Sequence, residues 1–345
     1  MKWIKPKYSK TRIRKAGELL LRAIADRSDQ LPSGFDEALK VLSNWRAAHA
    51  YPMHVIRTLL RRAARKIDKE AIVVQRLKRV RSIILKLYRF PNMGLDRMQD
   101  IGGCRVVVRD IKTLRKLIDI IMNSSTAHSF HSKKDYIANP KPTGYRSVHL
   151  IYKYNASKKE YHNIFIEIQL RSNLQHAWAT AVEIVDAFTQ QALKTSWQGD
   201  EGWKNFFRCV SIEFARLEGC VTDNMLSKAD NVKKIKELMD QLDIVNRLNA
   251  FAVSSQLISG EKVQGDFFIL ILDTEAKSIK YKVYAKSDLK KAIRDYLSIE
   301  KETRDDVTKD VVLVSGDSIK GLKEAYPNYF VDTHKFIKTI STIIS

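Results

Sequence analysis

Glu167, Gln169 and Arg171 alternate with Ile166, Ile168 and Leu170, which puts an acid, an amide and a base on one face of a strand and three aliphatics on the other. Upstream, the stretch from Lys134 to Gly144 contains Pro140, Pro142 and Gly144 and reads as an ordered basic loop rather than a helix. Tyr145, Ser147 and His149 then alternate onto one face of a strand ending near Tyr154. An acid and a base on a polar strand face look like a site built on a sheet, and the same spacing also describes a half-buried sheet with a solvated face. A second cluster, Arg76-Leu-Lys-Arg-Val-Arg-Ser-Ile-Ile-Leu-Lys86, gathers several cations and the Ser82 hydroxyl. Cations so close repel one another, and a bound anion would relieve that cost. Asp100 precedes an apolar strand at Arg105–Val108, beside a Gly102-Gly103 pair that lets backbone or ligand approach closely.

These residues must be held by an alternation of strands and helices. Positions 11–27 and 35–45 read as helices, and a long basic helical region occupies about 53–90, interrupted or re-phased near Asp68. A helix over 111–122 follows the Arg105 strand, a helix capped by Asn173 runs to about Gln190, and 203–256 reads as helical throughout. After Gly260 the composition changes. Strands at Phe267–Leu272 and Ile279–Tyr284 form a hairpin, followed by helices near 287–298 and 318–325, a strand at Val311–Val314 and a final helix carrying Phe336, Ile337, Ile340 and Ile344. The expected fold is α+β, a mixed sheet with surrounding helices, plus a small C-terminal α/β unit.

Composition narrows the function classes. The 345 residues carry 61 Lys and Arg against 39 Asp and Glu, a net charge of +22. Residues 1–100 hold 24 bases and 9 acids, or +15, and the first seventeen residues have seven bases and no acid. A polyanionic partner, nucleic acid ahead of a membrane surface, fits that asymmetry, as does a plain solvated surface. Three scattered cysteines, Cys104, Cys209 and Cys220, fit reduced thiols in a cytoplasmic protein and argue against a zinc cluster. No signal peptide or membrane anchor is expected, and neither a Walker loop nor a dinucleotide fingerprint occurs.

Four separated motifs, in order, resemble the RelA/SpoT-type synthetase across about 76–190. Arg76-x-Lys78 with Ser82 and Lys86 resembles the family's ATP-binding segment, to which Arg105 and Lys134 would add. Asp100 ahead of Gly103 and Arg105 resembles its metal-binding aspartate. Lys134-Asp-Tyr-Ile-x-x-Pro-Lys141-Pro-x-Gly-Tyr145-x-Ser-x-His149 resembles the loop that stacks an acceptor base on Tyr145. Glu167-Ile-Gln169-Leu-Arg171 resembles its glutamate strand. The resemblance implies pyrophosphate transfer from ATP with Mg²⁺ held by Asp100 and Glu167, Glu167 also being a candidate base for the attacking hydroxyl. Lys141, Tyr145, His149, Gln169 and Arg171 would bind the acceptor.

The usual acceptor of that family is a guanine nucleotide, but Thr143 stands where Asn is common. The segment Trp45–Pro52 and the unit after 260 resemble toxic small alarmone synthetases, most of all the fused toxin–antitoxin group called CapRel. That resemblance implies a tRNA 3′ end as acceptor, with Lys5, Lys7, Lys10, Arg12, Arg14, Arg61 and Arg62 on the RNA backbone. It also implies three regions: a synthetase toxin over 1–258, a zinc-finger-like antitoxin domain without metal ligands over 259–325, and an anchoring segment over 326–345. In the last, Tyr326 and Tyr329 would plug the ATP site until a phage protein, a capsid protein for example, binds the C-terminal unit. The exposed edge and apolar surface of the 267–284 hairpin are the expected docking site. The alternatives are a small alarmone synthetase making (p)ppGpp or (p)ppApp, and a non-catalytic RNA-binding module.

Overall fold

A computed structural model describes residues 3–25, 32–189, 201–220, 226–242, 244, 266–273, 276, 278–303, 306, 309–315 and 334–345. The fold is α+β. Its strands are β1 (Ile72–Leu77), β2 (Gly102–Val108), β3 (Ser129–Asp135), β4 (Val148–Lys153), β5 (Phe165–Ser172), β6 (Phe267–Asp273), β7 (Ser278–Tyr284) and β8 (Lys309–Ser315), joined in the order β3-β4-β5-β2-β1-β8-β6-β7. β2 and β5 pair in parallel and the other neighbours antiparallel, so the sheet is mixed. Helices α1 (Lys10–Ala25), α2 (Phe35–Ala48), α3 (Ala50–Ile67), α4 (Val80–Arg89) and α5 (Ile111–Met122) precede the site strands β3 to β5. Helices α6 (Asn173–Thr189), α7 (Glu201–Leu217), α8 (Lys228–Gln241), α9 (Leu289–Glu302) and α10 (His334–Ile344) follow them.

Period-two burial gives the sheet its two faces. Cys104, Val106 and Val108 of β2, Ile166, Ile168 and Leu170 of β5, and Val148, Leu150 and Tyr152 of β4 enter one core with residues of α1 to α5. The opposite face carries Arg76, Gly103, Arg105, Glu167, Gln169 and His149, brought abreast by register: Arg76 opposite Gly103 opposite Glu167, and Arg105 opposite Gln169 opposite His149. The two glycines are spent on different faces. A Cβ at Gly102 would come within 3.0 Å of Ile166 and 3.1 Å of His49, whereas at Gly103 nothing lies nearer than 3.7 Å.

Three sequence expectations are corrected. The basic region over 53–90 is interrupted near Asp68 as expected, where α3 stops at Ile67 and Asp68 accepts from the backbone N–H groups of Glu70 and Arg109, but it is not helical throughout, because the β-branched Ile72-Val73-Val74 run forms β1. The helix over 203–256 breaks at Gly219, whose φ of 63° ends α7 with bonds from Cys220 N–H to Ala215 and from Gly219 N–H to Arg216. Helix α6 is capped by Ser172 rather than Asn173, the Ser172 hydroxyl and the Gln175 amide exchanging bonds with each other's backbone N–H. Residues 318–325, with Tyr326 and Tyr329, lie outside the described residues.

The C-terminal strands and α9 enclose a core of Phe267, Ile269, Tyr284, Ile293, Tyr296 and Val311, against which Ala50, Trp3 and Ile4 also pack. β8 meets β1 at Val314 opposite Arg76, and β7 ends the strand order. Helix α10 inserts Phe336, 1% exposed, among Phe206, Phe207 and Phe214. Phe336→Ala should therefore lower unfolding stability by about 3–5 kcal/mol, measured by denaturant titration.

Candidate active site

The polar face of the sheet holds a continuous chain of hydrogen bonds. The Tyr145 hydroxyl is 2.8 Å from His149 Nε2, and His149 Nδ1 is 2.9 Å from Glu167 Oε1. Gln169 donates to Glu167 Oε2 at 2.8 Å, and Arg171 donates to the Tyr145 hydroxyl at 2.9 Å and to Gln169 at 3.3 Å. Four residues expected to bind the acceptor are thus joined to Glu167 in one network. Burial works against the charged forms of Glu167, His149 and Tyr145. It is outweighed at Glu167 by His149, then by Gln169 and Lys78, which hold the carboxyl well below its ordinary range. Burial would depress His149, yet Tyr145 and Glu167 push it up to about 9. Burial would raise Tyr145, yet Arg171 and His149 bring it down to about 7.

Gly144 makes this geometry possible. Its φ is 86°, its carbonyl accepts from Ser211 on α7, and a Cβ there would meet Ser211 at 2.9 Å. The turn it closes delivers Tyr145 one helical turn's distance in sequence from His149, before β4 begins. Tyr145 is only 6% exposed, edge-on to Tyr136 and Trp178. The expectation of a ring presented for stacking is therefore not met in this conformation: the Arg171 and His149 bonds tuck the hydroxyl into the sheet. Tyr136 is the more open ring, and Lys141 lies 4.7 Å above it and 5.0 Å from Tyr145. Tyr136 sits inside the basic loop motif, and its aromatic character was the signal available in the sequence.

The other carboxylate lies by the segment expected to bind ATP. Asp100 Oδ2 receives Lys78 at 3.2 Å and Lys86 at 2.7 Å, while Asp100 Oδ1 is buried with no hydrogen-bond partner among the described residues. Lys78 follows β1 and bonds through its backbone N–H to Ile101, and Lys86 projects from α4 one turn beyond the half-buried Ser82. Burial pulls the Lys78 ammonium below its ordinary value against the opposing pull of Asp100. Lys78 also acts electrostatically on Glu167, so the two carboxylates flank one ammonium group. Among the described residues, no three His, Cys, Asp or Glu side chains gather into a metal nest. An unpartnered Asp100 oxygen and a nearby carboxylate do fit Mg²⁺, which takes one or two carboxylates and completes its shell with substrate phosphates and water.

The remaining predicted residues separate into those at the site and those away from it. Arg76 stands on the polar face and Lys134 opposite His149 on edge strand β3. Arg105 turns toward Glu183 of α6, 3.9 Å away. The N-terminal cations fold back onto the chain: Lys5 pairs with Glu160 at 3.0 Å, Arg12 with Glu37 at 2.7 Å, Arg14 reaches Glu18 at 4.0 Å and Lys10 lies 5.6 Å over Trp45. The Lys7 backbone bonds to Asn44, and Arg61 and Arg62 lie along α3. Arg46, which sequence reasoning gave no role, donates through Nε to the Lys78 carbonyl at 2.6 Å.

This site coincides with a known region. Residues 75–185 match the family model described as "Region found in RelA / SpoT proteins", a span from within β1 to within α6. That segment is similar to the RelA/SpoT region and to GTP pyrophosphokinases. Among relatives, GTP pyrophosphokinase YjbM of Bacillus subtilis (strain 168) is 34% identical over 115 residues, covering 31% of this chain and 52% of the relative. GTP pyrophosphokinase YwaC of the same organism is 30% identical over 113 residues, covering 30% and 52%. The chain thus spans about half the length of these relatives. A crystal structure of small alarmone synthetase 1 from Bacillus subtilis, bound to its product pppGpp, has a TM-score of 0.38 at 25% identity, covering 43% of this chain and 74% of that one.

The network makes a spectroscopic prediction. A difference titration at 295 nm should show a single tyrosine ionising near pH 7, absent from Tyr145→Phe; no such step would contradict the Tyr145–His149–Arg171 geometry. His149, raised from 6.5 to about 9, contributes stability present in full below pH 6.5 and lost as pH rises through about 9.

Proposed function

We propose that the chain is an ATP-dependent pyrophosphokinase whose acceptor is the 3′ hydroxyl of the tRNA CCA end. The observation that carries the transferase reading is Asp100, held by Lys78 and Lys86 with one buried oxygen left open, while the same Lys78 acts on the ionised Glu167. Arg76, Lys78, Ser82 and Lys86, with Lys134 from the edge strand, would bind the triphosphate. Asp100 and Glu167 would hold Mg²⁺, which when bound neutralises charge across the phosphates.

In the transfer, the acceptor oxygen bonds to the β-phosphorus and the bond from that phosphorus to the α–β bridging oxygen breaks. AMP leaves, its new charge met by the lysines. The acceptor proton passes to Glu167. With its proton affinity held low, Glu167 is a weak base, which suffices for a loose transition state in which positioning and electrostatics dominate. His149 and Gln169 keep its two oxygens oriented.

The excess of 24 bases over 9 acids in residues 1–100 supports RNA as acceptor. A guanine nucleotide is the second reading, favoured by relatives that are GTP pyrophosphokinases. The C-terminal unit, joined at β8 to Arg76 of β1, would restrain the donor segment, with Tyr326 and Tyr329 as the plug. In this reading the protein is a cytoplasmic toxin fused to its own antitoxin, and a phage protein, capsid among the candidates, releases it by docking at edge strand β7. There Lys280 and Lys282 guard the edge against unspecific strand pairing.

Labelled ATP offered separately to tRNA and to GDP decides the acceptor: label in the RNA is expected, and label in the guanine nucleotide alone overturns the tRNA assignment. Glu167→Gln should lower transfer at least about 10²-fold with either acceptor. Truncation before Tyr326 would also remove α10 from its core, so Tyr329→Ala is the cleaner test of the plug. Cells producing it should stop growing without any phage; normal growth argues against autoinhibition through that residue.

A further inference from the structure

Arg46 is 1% exposed, and its guanidinium is shared between the synthetase and the C-terminal unit. Nε donates to the carbonyl of Lys78, Nη1 lies 3.3 Å from Glu300 Oε2, and Nη2 donates to the Tyr296 hydroxyl, the Tyr296 ring standing 4.4 Å from the guanidinium carbon. The second oxygen of Glu300 accepts the backbone N–H of Val80 at 3.0 Å. Val80 is the first residue of α4, and its N-cap Arg79 provides no side-chain cap. A carboxylate from α9 therefore sits on the first N–H of the helix that carries Ser82 and Lys86, in a neighbourhood of Arg46, Arg76, Lys78 and Lys86.

Two physical facts make this more than a packing contact. Free N–H groups and the dipole at a helix start favour an anion, and a buried guanidinium must have a counter-charge. With α9 in place, Glu300 meets both needs. With α9 away, the same two donors would face solvent next to the triphosphate-binding cations, and an oxyanion of the donor could take them. One carboxylate and one phosphate cannot occupy the same donors together.

We infer that Glu300 occupies an oxyanion position, formed by Arg46 and the Val80 N–H, that a phosphate of the donor nucleotide takes when α9 leaves. The inference rests on the donor-site reading above and deepens it: nucleotide and C-terminal unit compete directly for the start of α4, by a contact separate from Tyr326 and Tyr329. By the same linkage, donor binding loosens α9, because a ligand that binds one of two states draws the population toward it.

The test is calorimetric titration of the full chain with α,β-methylene-ATP and Mg²⁺. Glu300→Gln keeps the size of the side chain and removes its charge, and it should bind the analogue about tenfold more tightly than the unaltered protein. Hydrogen exchange on the unaltered protein gives a measurement that no folding defect can disturb: saturating analogue should accelerate exchange in 289–302. Equal or weaker binding by Glu300→Gln, or unchanged or slowed exchange in α9, overturns the competition while leaving the donor site intact. No analogue binding by Tyr329→Ala, with or without Glu300→Gln, removes the donor-site reading and this inference with it, because that background lacks the proposed plug.

Discussion

Glu167 is enclosed in the middle of a sheet, and an ionised carboxylate there has to be met by opposite charge within hydrogen-bond range. His149 on the neighbouring strand meets it, and Tyr145 and Arg171 complete the balance on the far side of the imidazole. Much of the local architecture follows from that requirement. β4 must pair with β5 so that His149 stands opposite Gln169, and the turn before β4 must bring the Tyr145 hydroxyl back onto His149. Gly144 and Ser211 hold that turn against α7. The site is therefore a set of charges that hold each other in place, with side chains oriented before any ligand arrives.

The second carboxylate is handled differently. Asp100 lies on the approach to β2 and draws its counter-charges from Lys78 and Lys86, on the segment just after β1 and on α4. Gly103 stands between Arg76 and Glu167 without a side chain, so the polar face is open at its centre. The Asp100 end of the polar face is thus built from ammonium groups, which bond an oxygen without a fixed direction, and the Glu167 end from a relay of rings and a planar guanidinium. In the proposed reading, that division suits a polyphosphate brought to a positioned hydroxyl.

The strands bearing chemistry were legible in the sequence because their period was clean. Glu167, Gln169 and Arg171 share a face as their spacing requires, and the aliphatics between them lie in the core. β1 was hidden because Arg76, Lys78 and Arg79 continue the basic pattern of α3, and only the β-branched Ile72-Val73-Val74 run marks the change. The partners of Asp100 were not legible, since Lys78 and Lys86 lie 22 and 14 positions before it and meet it only in the folded chain. The bond between Arg46 and Glu300 was beyond reach, because nothing local ties a residue of α2 to one 254 positions later. The resemblance implied a Tyr145 ring open for stacking, yet its hydroxyl, which spacing does not report, decides its orientation.

The two ends of the C-terminal region are seated on different parts of the molecule: β8 along β1, and α10 in the aromatic cluster of α6 to α8. These seats lie in separate cores, one shared with the start of α3 and the other with α6 to α8. Displacing β8 therefore leaves α10 held, and displacing α10 leaves β8 held, so neither loss alone detaches the C-terminal region.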